Sequence, residues 1–193
     1  MIAYAKPGAI HTDETLEIAI SAAKQRGLEL VVATSQGRTA LCALEKAKEM
    51  GFSGPIVAVT LAYGYKNPGE NRISEETFQT LRNAGVRVVT AAHALSGAER
   101  GISSTFGGIY PVEIIAAALR MLGQGVKVSV ETSLMALDAG AISYGKPVVC
   151  VAGTGGGADT CCIVTPSYTA TLLKTKINEI LCKPSFLEDT PNP

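Results

Sequence analysis

The residues that decide the fold run from 29 to 60. Glu29-Leu-Val-Val-Ala-Thr-Ser-Gln-Gly-Arg-Thr-Ala40 leads into an alanine-rich stretch ending at Gly51, and Pro55-Ile-Val-Ala-Val-Thr60 follows. Between the two β-branched runs, Ala40, Ala43, Leu44 and Ala47 recur at i, i+3, i+4 and i+7. This is the signature of strand, amphipathic helix, strand. Both runs are almost continuously apolar, as strands covered on both faces of a parallel sheet must be.

Outward from this unit the alternation continues. Val86-Arg-Val-Val-Thr90, Val126-Lys-Val-Ser-Val130 and Pro147-Val-Val-Cys-Val-Ala152 read as three further strands. A helix before residue 29 carries Leu16, Ala19, Ile20 and Ala23 on one face, with Thr12 as its expected N-cap. Others are expected over about 75–84, from Pro111 through Val112, Ile115, Ala116 and Leu119, and over 131–139. Alternating strands and helices argue for an α/β fold with a mostly parallel five-stranded sheet. Residues 160–165 form a sixth β-like run, expected to pair antiparallel at the edge, and 177–181 read as a short last helix. Domain limits of 1–182 follow, with 183–193, rich in proline, as a C-terminal tail.

Composition excludes several functions. The 193 residues carry 17 basic and 17 acidic side chains, so no basic excess exists to collect nucleic-acid phosphates. Apolar runs fall well short of the roughly 20 residues of a membrane span, and no signal-peptide pattern follows Met1. The five cysteines are odd in number and lack CxxC spacing, which fits neither a zinc site nor a disulfide framework. A cytoplasmic protein with no metal, no nucleic acid and no membrane is expected. The apolar segment 112–122 points either to deep burial or to a homo-oligomer contact.

In parallel α/β sheets ligands sit beyond the carboxyl ends of the strands, where strand order reverses. The loop leaving the first run is the richest candidate. Thr34, Ser35 and Thr39 offer hydroxyls, Gly37 a close backbone approach, and Arg38 a planar fork of donors. Amides of the next helix point into the same space, the arrangement that holds a phosphate. The P-loop pattern is absent. Gly153-Thr154-Gly155-Gly156-Gly157-Ala158 formally matches a dinucleotide fingerprint, but a β-like run follows where a helix is required. It is either a backbone surface for a ligand or a tight connection. Two connections, 61–73 and 91–109, exceed ordinary loop length and read as binding loops. They carry Tyr63 and Tyr65, His93, and Ser103, Thr105, Phe106 and Gly107. His93 and Glu131 are the candidate acid–base groups, Glu131 doubling as an acceptor for ligand hydroxyls.

The runs 30–40 and 55–60, with Gly145-Lys-Pro-Val-Val-Cys-Val-Ala-Gly153, resemble the C-terminal α/β domain of pyruvate kinase over about residues 12–165. The resemblance implies a three-layer α/β/α sandwich with strand order 3-2-1-4-5, the last strand antiparallel. In many pyruvate kinases the loop equivalent to 34–39 holds a phosphate of an allosteric sugar bisphosphate, which the resemblance implies for Thr34, Ser35, Gly37, Arg38 and Thr39, though Gln36 here interrupts the usual Ser-Gly step. The catalytic barrel has no counterpart, so pyruvate kinase activity is not expected. Phe106-Gly-Gly108, Gly123-Gln-Gly-Val-Lys-Val128, Asp138-Ala-Gly140 and Gly157-Ala-Asp-Thr160 resemble more closely still a set of stand-alone prokaryotic proteins of this fold. That similarity implies flavin mononucleotide (FMN) as the occupant of the crevice. The alternatives are a flavin-dependent oxidoreductase and a regulatory phosphometabolite sensor.

Overall fold

The structure is a computed structural model that describes residues 1–185. Its strands are β1 (Ile2–Tyr4), β2 (Glu29–Ala33), β3 (Ile56–Val59), β4 (Arg87–Val89), β5 (Val148–Ala152), β6 (Thr160–Thr165) and β7 (Lys176–Pro184). Its helices are α1 (Thr12–Arg26), α2 (Arg38–Glu49), α3 (Glu75–Asn83), α4 (Gly97–Phe106), α5 (Pro111–Arg120) and α6 (Gln124–Asp138). The strands form one sheet in the order β1-β7-β6-β5-β2-β3-β4, in which only β6 runs against the others.

Helices cover both faces. Leu16 and Ile20 of α1, Ala40, Ala43 and Ala47 of α2 and Leu81 of α3 pack with Leu30, Val32 and Val149 on one side. On the other, Val126, Met135 and Leu137 of α6 pack on Val31, Val57 and Cys150. Val112, Ile115, Ala116 and Leu119 of α5 close over Val130 and Leu134 from outside. Burying each large aliphatic side chain stabilises the fold by roughly 1.5–3 kcal/mol. Cys150, Cys161, Cys162 and Cys182 are buried, and burial raises their thiol pKa values, so they serve as small apolar residues.

The three-layer α/β/α architecture and the order 3-2-1-4-5 are present as β4-β3-β2-β5-β6, with two corrections of membership. Residues 126–130 are not the fourth strand. They are the first half of α6, continuous with 131–138. The valine alternation is a strand pattern, but Val126, Val130, Leu134 and Leu137 also fall at helical spacing, and α6 is buried nearly all round. Residues 148–152 therefore take fourth place and 160–165 the antiparallel fifth. Among the described residues the sheet has seven strands rather than five, so β6 is not an edge.

The second correction concerns 177–181, expected as a helix. They belong to β7, which pairs antiparallel with β6 and parallel with β1. Five residues with apolar positions three and four apart fit either element; the open edge of β6 decides. The three-residue β1 is too short to leave a periodic signal. The expected tail begins inside β7, which runs to Pro184, and its residues 186–193 lie outside those described. Thr12 is the first residue of α1 rather than its N-cap, which is His11.

Close packing of α6 on the sheet depends on Gly125. A Cβ there would meet the side chain of Thr160 at 2.0 Å. Gly125→Ala should lower stability by about 1–3 kcal/mol, the range for overpacking, read as a lower urea midpoint at unchanged slope.

Candidate functional site

From β2 the chain proceeds through β3 to β4 on one side, then returns to place β5 on the other. The carboxyl ends of β2 and β5 therefore feed loops in opposite directions, and a cleft of about 660 Å³ opens between them. That volume lies within the usual range for small-molecule sites. Its walls come from the β2–α2 loop, the ends of β3 and β5, the loops after β3 and β4, and α4, α5 and α6.

The β2–α2 loop forms one end. Thr34, Ser35, Arg38 and Thr39 line the cleft. Gly37 N–H donates to Thr34 Oγ1 at 3.1 Å, which tightens the turn ahead of α2. Gly37 does not line the cleft; its φ of +90° and a would-be Cβ contact of 2.3 Å with Thr77 show that glycine is needed for the turn. The first amides of α2 have no intrahelical acceptor. Arg38 reaches only its own loop, donating to Gln36 Oε1 at 2.9 Å.

The glycine loop after β5 forms a second wall. Gly153, Gly155, Gly156 and Gly157 line it. A Cβ at Gly153 would strike the carbonyl oxygen of Gly157 at 2.6 Å, and one at Gly157 would strike Thr12 and Ala9. Those two glycines answer to internal packing, while Gly155 and Gly156 have open space around them. Buried Asp159 holds the loop in shape, accepting from Gly8 N–H (2.9 Å), Thr154 N–H (3.2 Å) and Thr160 Oγ1 (2.8 Å). Thr12 Oγ1 accepts from Ala158 N–H at 3.0 Å, tying α1 to the same loop.

The far wall is α6 with the loops that cross it. Glu131, buried, accepts from Leu95 N–H at 3.0 Å through Oε1 and forms an ion pair with Lys127 through Oε2. The spacing i, i+4 places the two on one helix face. Burial lowers the Lys127 pKa, partly opposed by Glu131 and reinforced by Arg120 and Arg100. Burial also lowers that of His93, whose Nε2 accepts from Ala62 N–H at 3.4 Å. Tyr65 lies over this histidine with ring centroids 5.1 Å apart.

Charge distinguishes the cleft from the rest of the molecule. Among the described residues, Arg38, Arg72, Arg100, Arg120 and Lys127 face a lone carboxylate, Glu131, in a chain whose acidic and basic residues balance. None of the four arginines has a carboxylate within ion-pair distance among the described residues. The Nε of Arg72 is buried without a hydrogen-bond partner.

Of the residues singled out in the sequence, the structure gathers Thr34, Ser35, Arg38, Thr39, His93, Glu131, Gly153, Gly155 and Gly156 around one cleft. Thr154 stands behind the wall, its amide turned to Asp159. Tyr63 faces away, beside Ile73 and Phe78, with its hydroxyl donating to Gly69. Ser103, Thr105, Phe106 and Gly107 also lie outside the cleft. Ser103 donates to Glu113 and Thr105 to Gly101, within the α4–α5 pair. Sequence reasoning missed Lys127, Arg72, Arg100 and Arg120. The Lys127-x-x-x-Glu131 spacing was the available signal, concealed by reading 126–130 as strand.

Fold and cleft together define an α/β/α domain with a concave site at its topological switch point. The chain belongs to the pyruvate kinase alpha/beta domain family, whose model matches residues 13–164. Among solved structures, a pyruvate kinase from Cryptosporidium parvum is similar over 76% of this chain, at 18% identity and a TM-score of 0.37. The chain spans 21% of that enzyme's length.

Removing one member of a buried ion pair leaves the other uncompensated, at a cost of about 3–5 kcal/mol. Glu131→Ala should destabilise the protein by that much in urea denaturation, because Lys127 and Leu95 N–H both lose their acceptor. His93 supplies a pH test. Its folded pKa lies below the ordinary 6.5, so the unfolded chain takes up the proton first. His93 is therefore neutral in both states above 6.5 and costs stability as pH falls from 6.5 to its folded value. The stability difference between the parent and His93→Gln should stay constant above pH 6.5 and shift in favour of the variant below it, measured as urea midpoints across pH 5–8.

Proposed function

We propose that this chain is a cytoplasmic binding domain for a phosphorylated small molecule, with flavin mononucleotide as the ligand. The observation that carries the reading is the excess of guanidinium groups without a carboxylate partner, among the described residues, around a cleft whose one end is a hydroxyl-rich loop at a helix N-terminus. Such a cluster repels itself until an anion enters. Ser35, Thr39, Arg38 and the first amides of α2 suit a phosphate, where charge-assisted donors are strongest. Gln124, Thr132, Gly155 and Gly156 also line the cleft and offer polar groups and open backbone suited to a polyhydroxyl chain. Tyr65 and His93 supply flat surfaces for a ring, and Arg72 Nε supplies a buried donor with no acceptor of its own. The group, when bound, would bring the redox chemistry of its ring; the protein's part is to bind and orient it.

The same geometry favours binding over proton transfer. Glu131 is committed to Lys127 and to Leu95 N–H, and His93 already accepts from Ala62 N–H. Both carboxylate oxygens of Glu131 and the Nε2 of His93 are thus occupied, which weighs against an oxidoreductase.

Titration of the protein into FMN, followed by quenching of flavin fluorescence, tests the reading. Arg38→Ala should weaken binding at least tenfold, about 1.4 kcal/mol. Equal affinity of parent and variant would remove the phosphate from residues 34–39. No quenching by the parent would remove the flavin.

A further inference from the structure

We propose that the outward face of α4 and α5 is the docking surface for a second copy of this chain, related to the first by a two-fold axis. The inference is independent of which ligand fills the cleft. None of the residues of α4 is buried, although its Arg100 helps wall the cleft. The helix is tethered by Glu99, which accepts from Val112 N–H at 2.8 Å, and by the Ser103–Glu113 hydrogen bond. Helices owe most of their stability to packing an apolar face, and among the described residues this one has no such packing within the protomer.

Its partner helix is apolar on both sides. Val112, Ile115, Ala116 and Leu119 turn inward against α6, while Ile114, Ala117, Ala118 and Met121 turn outward. A helix apolar all round belongs in an interior. Ile102 and Phe106, four apart on α4, and Ile109 in the connection are exposed as well. Phe106 is 81% exposed, Ile109 79% and Met121 82%. With Ile102, Ile114 and Leu122, these side chains expose on the order of 800 Å², taking about 200 Å² for a fully exposed large side chain. The largest patch on a monomer is typically about 300–600 Å², whereas a standard interface takes about 800 Å² from each partner.

Charge selects the occupant. Glu99 and Glu113 are engaged within the helix pair, and Arg100 and Arg120 face the cleft. The outer face thus carries no charge pattern to recognise an unlike protein and no basic rim for anionic lipid. Interfaces between identical subunits are the more apolar class, and a two-fold axis sets this neutral patch against itself without charge conflict. No single helix among the described residues is long and apolar enough to cross a membrane; α4 and α5 reach that length and apolarity only together, bent by 108° between them, so lipid is the competing occupant that the test below distinguishes.

Light scattering after size-exclusion chromatography, with the full chain at tens of micromolar, tests the proposal. The parent should elute at twice the 20.0 kDa protomer mass. Phe106→Glu with Met121→Glu should elute as a monomer with an unchanged far-UV spectrum. Ile109→Lys, in the connection outside both helices, provides a second variant and should dissociate in the same way. A monomeric parent overturns the proposal, and so does a dimer that survives both variants. Sedimentation of the parent with neutral lipid vesicles, in preference to dimer formation, would assign the face to a membrane and overturn it as well.

Discussion

Strand β2 hydrogen-bonds β3 on one side and β5 on the other, all three parallel, and the rest of the molecule follows from that double pairing. Parallel neighbours need crossover connections, and these are right-handed. The crossover through α2 must lie on one face of the sheet, and the long return through α4, α5 and α6 on the other. The strand ends of β2 and β5 then diverge, and the space between them cannot be closed by either crossover. The cleft is a consequence of topology; its lining is what sequence adds.

That lining puts like charges together. Arg72, Arg100, Arg120 and Lys127 come from the β3–α3 loop, α4, α5 and α6, and Arg100 and Arg120 each lower the Lys127 pKa. Glu131 offsets part of this, and in doing so anchors the loop before α4 through Leu95 N–H. One carboxylate thus serves both the electrostatics of the cleft and the position of His93 nearby. Membership in the pyruvate kinase alpha/beta domain family accounts for the architecture. The arginine-lined wall is a property of this chain's own residues, and function lives in such sites rather than in folds.

Much of the fold was legible because its central strands are short, β-branched and bounded by turn residues. β2, β3, β4 and β5 were readable within a residue or two, as were the cores of α1, α2, α3 and α5. Failures came where two periods fit the same letters. Val126-Lys-Val-Ser-Val130 alternates like a strand, yet continues the helical spacing of Leu134 and Leu137. Ile177, Ile180 and Leu181 fit a helical turn, yet complete the edge that β6 leaves open. In both, tertiary surroundings outweighed local propensity.

The sequence by itself determined the donor set of the loop from Thr34 to Thr39, because its hydroxyls and guanidinium lie within six residues of chain; the packing of Thr77 on Gly37 came with the tertiary structure. The sequence also determined the parallel core, since continuous apolar runs can be buried on both faces only there. Tertiary structure alone decided which arginines join that loop around one cleft and that Glu131 meets Leu95 N–H across 36 residues. It alone left α4 without a buried face. Such relations depend on how separate elements cross, and no local pattern of residues records a crossing.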